Sequence, residues 1–471
     1  MEESWHAARL IPISGINGAL EQERRAVSAL LAVMTAVREF GRALLGPLGA
    51  PASPIESFIE VPFELDGRRH FPDGLLRARR GSKTWVALVE VKTGHNRLEQ
   101  EQIESYLDIG RQHGYQAVLT ISNEIPALPG THPTPVDRRK TRSVALHHLS
   151  WTQVLTEAVM QKTHRGVADP DQAWVLGELI RYLEHKNSGA MAFEDMGDNW
   201  VSVREAAAHG TIRPGDKAAL EVAGRWDQLI QFACLHLGKQ LGVEVQPALS
   251  RRELDDSTIR PNALVQSLVS RGTLDGGLRI PGAVGPVTLC ADVRAGRLTV
   301  SVDVAAPQEG RPRTRVNWLL RQLAYAPDDL RVDCFTAYAR GASTSELLRG
   351  VRQNPDALIV DAKREIKHFR LALSAPMGTK RGQGRGGFVA SVLSLLDRFY
   401  EDVVQAIKPW TAPPPKLRPP EPLEPKPEVP ASLVSTAYSS QDGPEPAELA
   451  GPGGGSPAWR ADVLLKDEDP V

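Results

Sequence analysis

The chain reads as an α/β protein, with a mixed sheet flanked by helices in its first third. A mainly helical stretch follows, then an α+β region, then a Pro- and Gly-rich tail. Three observations predict this. A chain of 471 residues is long enough for roughly two to four domains of the usual size. Apolar residues recur at three-and-four spacing in some segments and in alternation or short unbroken runs in others, and the two patterns take turns through the first third. Composition is that of a folded protein up to about residue 410, with 41% hydrophobic and 24% charged residues in the chain as a whole.

In order, residues 20–45 carry Leu30, Leu31, Met34, Val37 and Leu45 at helical spacing. Segment 57–65 is predicted as a strand. Segments 71–79 and 84–91 form two more, joined at Arg80-Gly81-Ser82-Lys83. Residues 97–113 alternate as an amphipathic helix that Gly114 ends. The apolar runs 116–122 and 143–149 are strand-like, and 151–162 returns to helix. Beyond these, 174–183 and 217–241 have helical periodicity, and 286–292, 297–304 and 330–338 have that of strands. A helix is predicted over 315–323 and a long closing helix over 388–407. In the last 61 residues fall 14 of the 36 prolines, together with a Gly-Pro-Gly-Gly-Gly run, so 411–471 is expected to be disordered. Its stretch 459–465 is a weakly apolar terminus or a docking peptide. The expected divisions are 1–162, 163–255, 256–410 and 411–471.

Charge and cysteines exclude several classes. Lys plus Arg number 56 and Asp plus Glu 57, a net charge of −1, which is not the balance of a strongly basic nucleic-acid binder. Three distant cysteines, Cys234, Cys290 and Cys334, make neither a disulfide framework nor a zinc ribbon. No apolar stretch approaches the ~18 residues of a membrane span, and no signal sequence is apparent. The expectation is a soluble cytoplasmic protein without membrane association.

The residues that carry chemistry run from Phe71 to Tyr106: Pro72-Asp73, then Glu90-Val91-Lys92, then Gln102 and Tyr106. Two carboxylates on adjacent strands can share a hard divalent cation, and Mg²⁺ typically takes one or two carboxylates with water and phosphate oxygens. Glu90 and Lys92 are two apart on one strand and face the same way. A lysine there can orient a water or neutralise charge on a scissile phosphate. Val91 points into the core and leaves its carbonyl as a further oxygen. Gln102 and Tyr106 share one face of the next helix. The near-continuous apolar run Trp85 to Val89 implies a buried central strand, at whose end a charged pair is costly unless it is used.

In order, element type and spacing these residues resemble the PD-(D/E)XK nuclease superfamily, in its RecB-type branch with a Gln-x-x-x-Tyr motif. The resemblance covers about 140–150 residues, roughly a third of the chain. It implies a restriction-endonuclease-like fold and hydrolysis of phosphodiesters, DNA foremost, with Mg²⁺ or Mn²⁺. Asp73 and Glu90 would be metal ligands, with the Val91 carbonyl beside them. Lys92 would be the catalytic lysine, and Gln102 and Tyr106 supporting residues. An acidic residue on the first helix often completes such sites; Glu23 is preferred, with Glu21 as its competitor. A catalytically silent nucleic-acid-binding or scaffold module of a stress or defence complex is the rival reading, and RNA cleavage a second enzymatic one.

Other signals are two-sided. Arg77, Arg79, Arg80 and Lys83 lie at a hairpin expected beside the site, where they grip phosphates or form a solvated turn. Arg138, Arg139, Lys140 and Arg142 pose the same choice. The Gly-rich basic run 380–387 lacks the context of a P-loop and reads as a loop. His147 and His148, adjacent on a strand, face opposite ways and suit packing; His95 is close enough to Lys92 to touch phosphate. Region 163–410 is expected to select substrate, self-associate or hold a partner protein.

Overall fold

The computed structural model describes residues 10, 11, 18–382 and 384–412. The predicted tail, including 459–465, lies outside these, apart from Thr411 and Ala412. The described residues up to Thr411 belong to one unit, built of a five-stranded sheet, a seven-stranded sheet, a two-stranded hairpin and the helices packed on them.

The predicted helix 20–45 is two helices, α1 (Ala19–Ala36) and α2 (Arg38–Leu45). Val37 breaks it by taking an extended conformation while its side chain stays fully buried. A Cβ at Gly41 would lie 2.3 Å from the Met34 carbonyl, so only glycine lets α2 fold back so tightly. The predicted strand 57–65 is also divided. Strand β1 (Ile55–Ile59) stops at Glu60, which has φ 54°, and Pro62 follows. Then β2 (Phe63–Leu65) and β3 (Arg68–His70) form a separate hairpin that turns at Asp66-Gly67. Both turn residues have positive φ, 51° and 76°, as a two-residue hairpin turn of the I′ kind requires.

Strands β4 (Gly74–Arg80) and β5 (Lys83–Val91), helix α3 (Gln100–His113), then β6 (Ala117–Ser122) and β7 (Ala145–Ser150) complete the first sheet. Its order is β1-β4-β5-β6-β7. The first two pairings are antiparallel and the last two parallel, so the sheet is mixed as predicted. Helix α4 (Trp151–Val159), a π-helical turn at Met160–Arg165 and α5 (Pro170–Leu183) follow. The central strand β5 alternates. Val86, Leu88 and Glu90 face α3, whose Ile103, Tyr106 and Leu107 share a core with Leu75, Val118 and Phe63. Ala87, Val89 and Val91 face the other way, into a core with Leu30, Met34, Phe40, Val154 and four residues of α5.

The rest is built on a second, wholly antiparallel sheet. Its helices begin with α6 (Trp200–Ala208) and α7 (Lys217–Leu241). Then come β8 (Gln246–Pro247), α8 (Arg251–Asp255), α9 (Ile259–Ser270), β9 (Thr273–Arg279), β10 (Val287–Asp292), β11 (Arg297–Ala305) and α10 (Pro312–Gln322). After these are β12 (Arg331–Thr336), β13 (Thr344–Leu347), α11 (Leu348–Gln353), β14 (Ile366–Pro376) and α12 (Phe388–Asp402). The strand order is β13-β12-β14-β11-β10-β9-β8. Trp200, Trp226, Ile230, Phe388 and Phe399 cover one face. Strand β9 is not among the strands that the sequence pattern predicts, and Gly276-Gly277 interrupts its apolar alternation. Gly276 serves packing: a Cβ there would meet Ile230 at 2.4 Å. Among the described residues no helix is long and apolar enough to cross a membrane.

Leu176, Leu179, Tyr182 and Leu183 of α5 are each at most 2% exposed within the first sheet's core. Leu179→Ala is therefore expected to destabilise the first sheet by about 2–5 kcal/mol, the cost of truncating a fully buried leucine. A chain ending at residue 162 lacks all four side chains and is expected to lose cooperative melting. Wild-type-like thermal unfolding of that fragment would show that α5 is dispensable.

Candidate active site

The sheet brings the predicted residues together at the end of β5. Asp73 lies immediately before β4, and its Oδ2 accepts a hydrogen bond from the Val91 N–H at 2.8 Å. That bond joins the ends of two neighbouring strands. The Val91 side chain is buried on the opposite face. Glu90 is 1% exposed, and its Oε1 accepts from Lys92 Nζ at 2.6 Å. Lys92 Nζ also lies 3.5 Å from Glu23 Oε1. Asn96 Nδ2 donates to the other oxygen of Glu23 at 3.4 Å. Glu23 is the first-helix acid at the site, whereas Glu21 is engaged one turn on by Arg25. From α3, Gln102 donates to the Tyr106 hydroxyl at 3.0 Å, and that hydroxyl donates to the Phe71 carbonyl at 3.4 Å. The helix thereby holds the residue two before Asp73.

Charge at this point is unbalanced. Asp73, Glu90 and Glu23 surround one ammonium. Burial first, then the nearby Asp73 carboxylate, pushes Glu90 from 4.5 up to about 7. The 2.6 Å contact with Lys92 pulls the other way and is outweighed. Asp73 is raised too, by burial, against the bond from Val91. Burial would lower Lys92, but Glu90, Glu23 and Asp73 together outweigh it and hold the lysine above its ordinary value. Burial, then the charge on Glu90, likewise raises the Tyr106 phenol, which stays protonated. Glu90 Oε2 is buried and makes no well-formed hydrogen bond, although the Asp73 carboxyl and the Tyr106 hydroxyl are near enough to the Glu90 carboxyl to interact with it.

Among the described residues, no group of three or more His, Cys, Asp or Glu is gathered so as to hold a metal ion. The Lys92 ammonium already lies between Glu23 and Glu90. What the donors do fit is a smaller site. Asp73 and Glu90 at adjacent strand ends, with the orphaned Glu90 Oε2, match the one or two carboxylates that Mg²⁺ accepts from a protein.

The basic runs land elsewhere. The β4–β5 turn with Arg79, Arg80 and Lys83 is at the opposite end of the sheet from Glu90. Glu90 lies seven positions along β5 from Lys83, about 23 Å of strand. Sequence proximity misleads here because each strand carries its two ends far apart. Arg77, midway, pairs with Glu56 at 2.6 Å and lies over the Phe58 ring, 5.0 Å from its centroid. Lys140 pairs with Asp108 and Glu104, tying its loop to α3. Arg381 pairs with Asp195 and Asp198, which anchors the Gly-rich run; Gln383 lies outside the described residues. His148 is part of a buried network, with its ring bonded to Thr120 at 2.9 Å and to the Glu124 carbonyl at 2.8 Å. Burial lowers it to about 4, so it is a neutral packing group. His95 is exposed in the loop after β5. Asn96 was not singled out from the sequence, since one asparagine in a loop carries no periodic signal.

Folded Glu90 keeps its proton up to about pH 7, whereas the unfolded carboxyl loses it near 4.5. The folded state thus binds the extra proton between these values, and its stability falls as pH rises through the window, by up to roughly 3 kcal/mol. Glu90→Gln removes this loss. Its stability relative to wild type is expected to increase between pH 4.5 and 8, as read by denaturant melts at each pH. A pH-independent difference would contradict the buried, weakly acidic Glu90.

Comparison with known proteins finds no matching family model, curated protein or solved structure, so the functional reading rests on the chemistry of this site.

Proposed function

We propose that the chain is a metal-dependent phosphodiester hydrolase acting on nucleic acid, with DNA as the first substrate to test and Mg²⁺ or Mn²⁺ as the ion. The observation that carries this reading is the excess of buried carboxylate around a single lysine at the end of the central strand, with Glu90 Oε2 unpartnered. Burying such charge is costly unless a cation completes it. It agrees with the order and spacing of Pro72-Asp73, Glu90-x-Lys92 and Gln102-x-x-x-Tyr106 that the PD-(D/E)XK resemblance rests on.

Asp73 and Glu90 would hold the ion, with the Val91 carbonyl as a further oxygen and Glu23 on the far side of Lys92. A bound divalent cation supplies a water of lowered pKa and charge stabilisation at a phosphoryl oxygen. The rest falls to the chain's own groups. Lys92 stays protonated, so it acts as a donor: it orients the attacking water or neutralises a phosphate oxygen, and it is not the base. Tyr106, also protonated, and Gln102 fix the backbone at Phe71 and so the approach of Asp73. Regions beyond the first sheet would select substrate or hold a partner.

One observation favours the silent nucleic-acid-binding or scaffold reading. The Lys92 ammonium bridges Glu90 and Glu23 as a built-in cation, which neutralises part of the charge that a metal would take.

Linear, circular and single-stranded DNA and RNA, incubated with Mg²⁺, Mn²⁺ or EDTA, separate the readings. Cleavage that needs the metal and is lost in Asp73→Ala and Glu90→Ala is expected. Lys92→Ala should slow single-turnover cleavage by roughly 10²–10⁴-fold, the scale for losing a placed proton donor or charge. Its metal affinity should be nearly unchanged, because an ammonium is no ligand. Binding without cleavage under every condition would leave the silent module, and EDTA-resistant cleavage by Asp73→Ala would overturn the site.

A further inference from the structure

The two residues after Lys92 are held from parts of the chain far apart in sequence. Lys92 itself donates its N–H to the Ile121 carbonyl at 2.8 Å, and its carbonyl accepts from Trp151 Nε1 at 2.9 Å. Thr93 Oγ1 donates to Gln22 Oε1 at 3.3 Å, and Gln22 Nε2 donates to the Asn187 carbonyl at 2.9 Å. The Gly94 N–H donates to the Gly189 carbonyl at 2.9 Å. At the centre is Asn123, one residue past β6. Its Nδ2 donates to the carbonyls of Gly94 and Gly189 at 2.9 and 2.8 Å, and its Oδ1 accepts from the Met191 N–H at 2.7 Å. Both of its amide hydrogens are thus satisfied, one on each of the two loop segments that it joins.

We propose that Asn123, with the 187–191 segment it secures, is a positioning element for Lys92. This rests on the hydrolase reading above. The segment joins α5 to α6, outside the first sheet, and it is fastened to the turn that fixes how far the Lys92 ammonium reaches between Glu90 and Glu23. Gly189 makes the fit close. Its φ is +78°, and a Cβ there would lie 2.5 Å from Gln22 Oε1 and 2.7 Å from Thr93 Cβ. A side chain at 189 would push directly on the residue after the lysine. The three bonds of Asn123 run to backbone groups, and its side chain belongs to neither apolar core of the first sheet, so their loss moves the lysine more than it loosens the fold.

The test is Asn123→Ala in the full chain, with Gly189→Ala beside it. Gly130→Ala serves as the control, because Gly130 has φ +74° but a Cβ there meets nothing within 4 Å. Steady-state cleavage, thermal melting and amide hydrogen exchange at Gly94 are read on the same preparations. Asn123→Ala and Gly189→Ala are expected to lower kcat by about 10- to 100-fold, the scale of an ångström's misplacement of a reacting group. KM should stay within about twofold of wild type, since substrate contacts remain. Gly94 exchange should quicken in both; Asn123→Ala should melt close to Gly130→Ala, whereas the overlap with Gln22 and Thr93 should lower the melting of Gly189→Ala further. Unchanged kcat in Asn123→Ala, while the wild type cleaves, overturns the positioning role alone. So does a kcat loss in Asn123→Ala that merely follows a fall in its melting temperature. A wild-type chain that cleaves nothing with any metal overturns the hydrolase reading and the positioning role together, even where Gly94 exchange shows the fastening to be real.

Discussion

Everything at this site depends on one ammonium among three carboxylates at the end of a strand buried on both faces. Lys92 Nζ is 2.6 Å from Glu90 and 3.5 Å from Glu23, with Asp73 bonded to the backbone between them. In water such an arrangement would be of little consequence. Here the side chain of Glu90 is almost wholly removed from solvent, and one of its oxygens has no partner. Each neighbour is then forced to respond: Glu90 and Asp73 tend to take up protons, while Lys92 holds its own more firmly. A structure that needed only a stable strand end would place an apolar residue at Glu90, in line with Val86 and Leu88 on the same face.

The fold accepts this cost because the surrounding elements are tied to it. Helix α1 supplies Glu23, helix α3 supplies Tyr106, and Trp151 at the start of α4 bonds the Lys92 carbonyl. Helix α5, which follows the first sheet in sequence, closes the core behind Val89 and Val91. The loop leaving α5 reaches the turn after Lys92. In packing terms the middle of the chain is thus continuous with the first sheet.

The site was legible where its signal is local. Glu90 and Lys92 share a face because strands repeat every two residues, and Gln102 and Tyr106 because helices repeat every 3.6. The buried strand beneath them was evident from the unbroken run Trp85 to Val89. Of the two first-helix acids, the preferred Glu23 lies 3.5 Å from the lysine, while Glu21 pairs with Arg25. What stayed hidden is of longer range. Asn123, Trp151 and Gly189 come to the site through tertiary folding and carry no spacing that marks them. Sequence order puts the Arg79 to Lys83 hairpin beside the site, since it lies between Asp73 and Glu90; the lengths of the two strands carry it away. The break at Val37 and the left-handed Glu60 were equally unreadable, since both answer to neighbours that helical or strand periodicity does not record.

On the proposed reading, Glu90 lies in an under-neutralised pocket that a divalent cation would complete. A ¹³C NMR titration of the Glu90 side-chain carboxyl, with and without Mg²⁺, tests it most directly. A midpoint near 7 is expected without metal, falling by about a unit or more when Mg²⁺ is added, as a cation favours the charged carboxylate. A midpoint at the ordinary 4.5, or one that Mg²⁺ leaves unmoved, would contradict it.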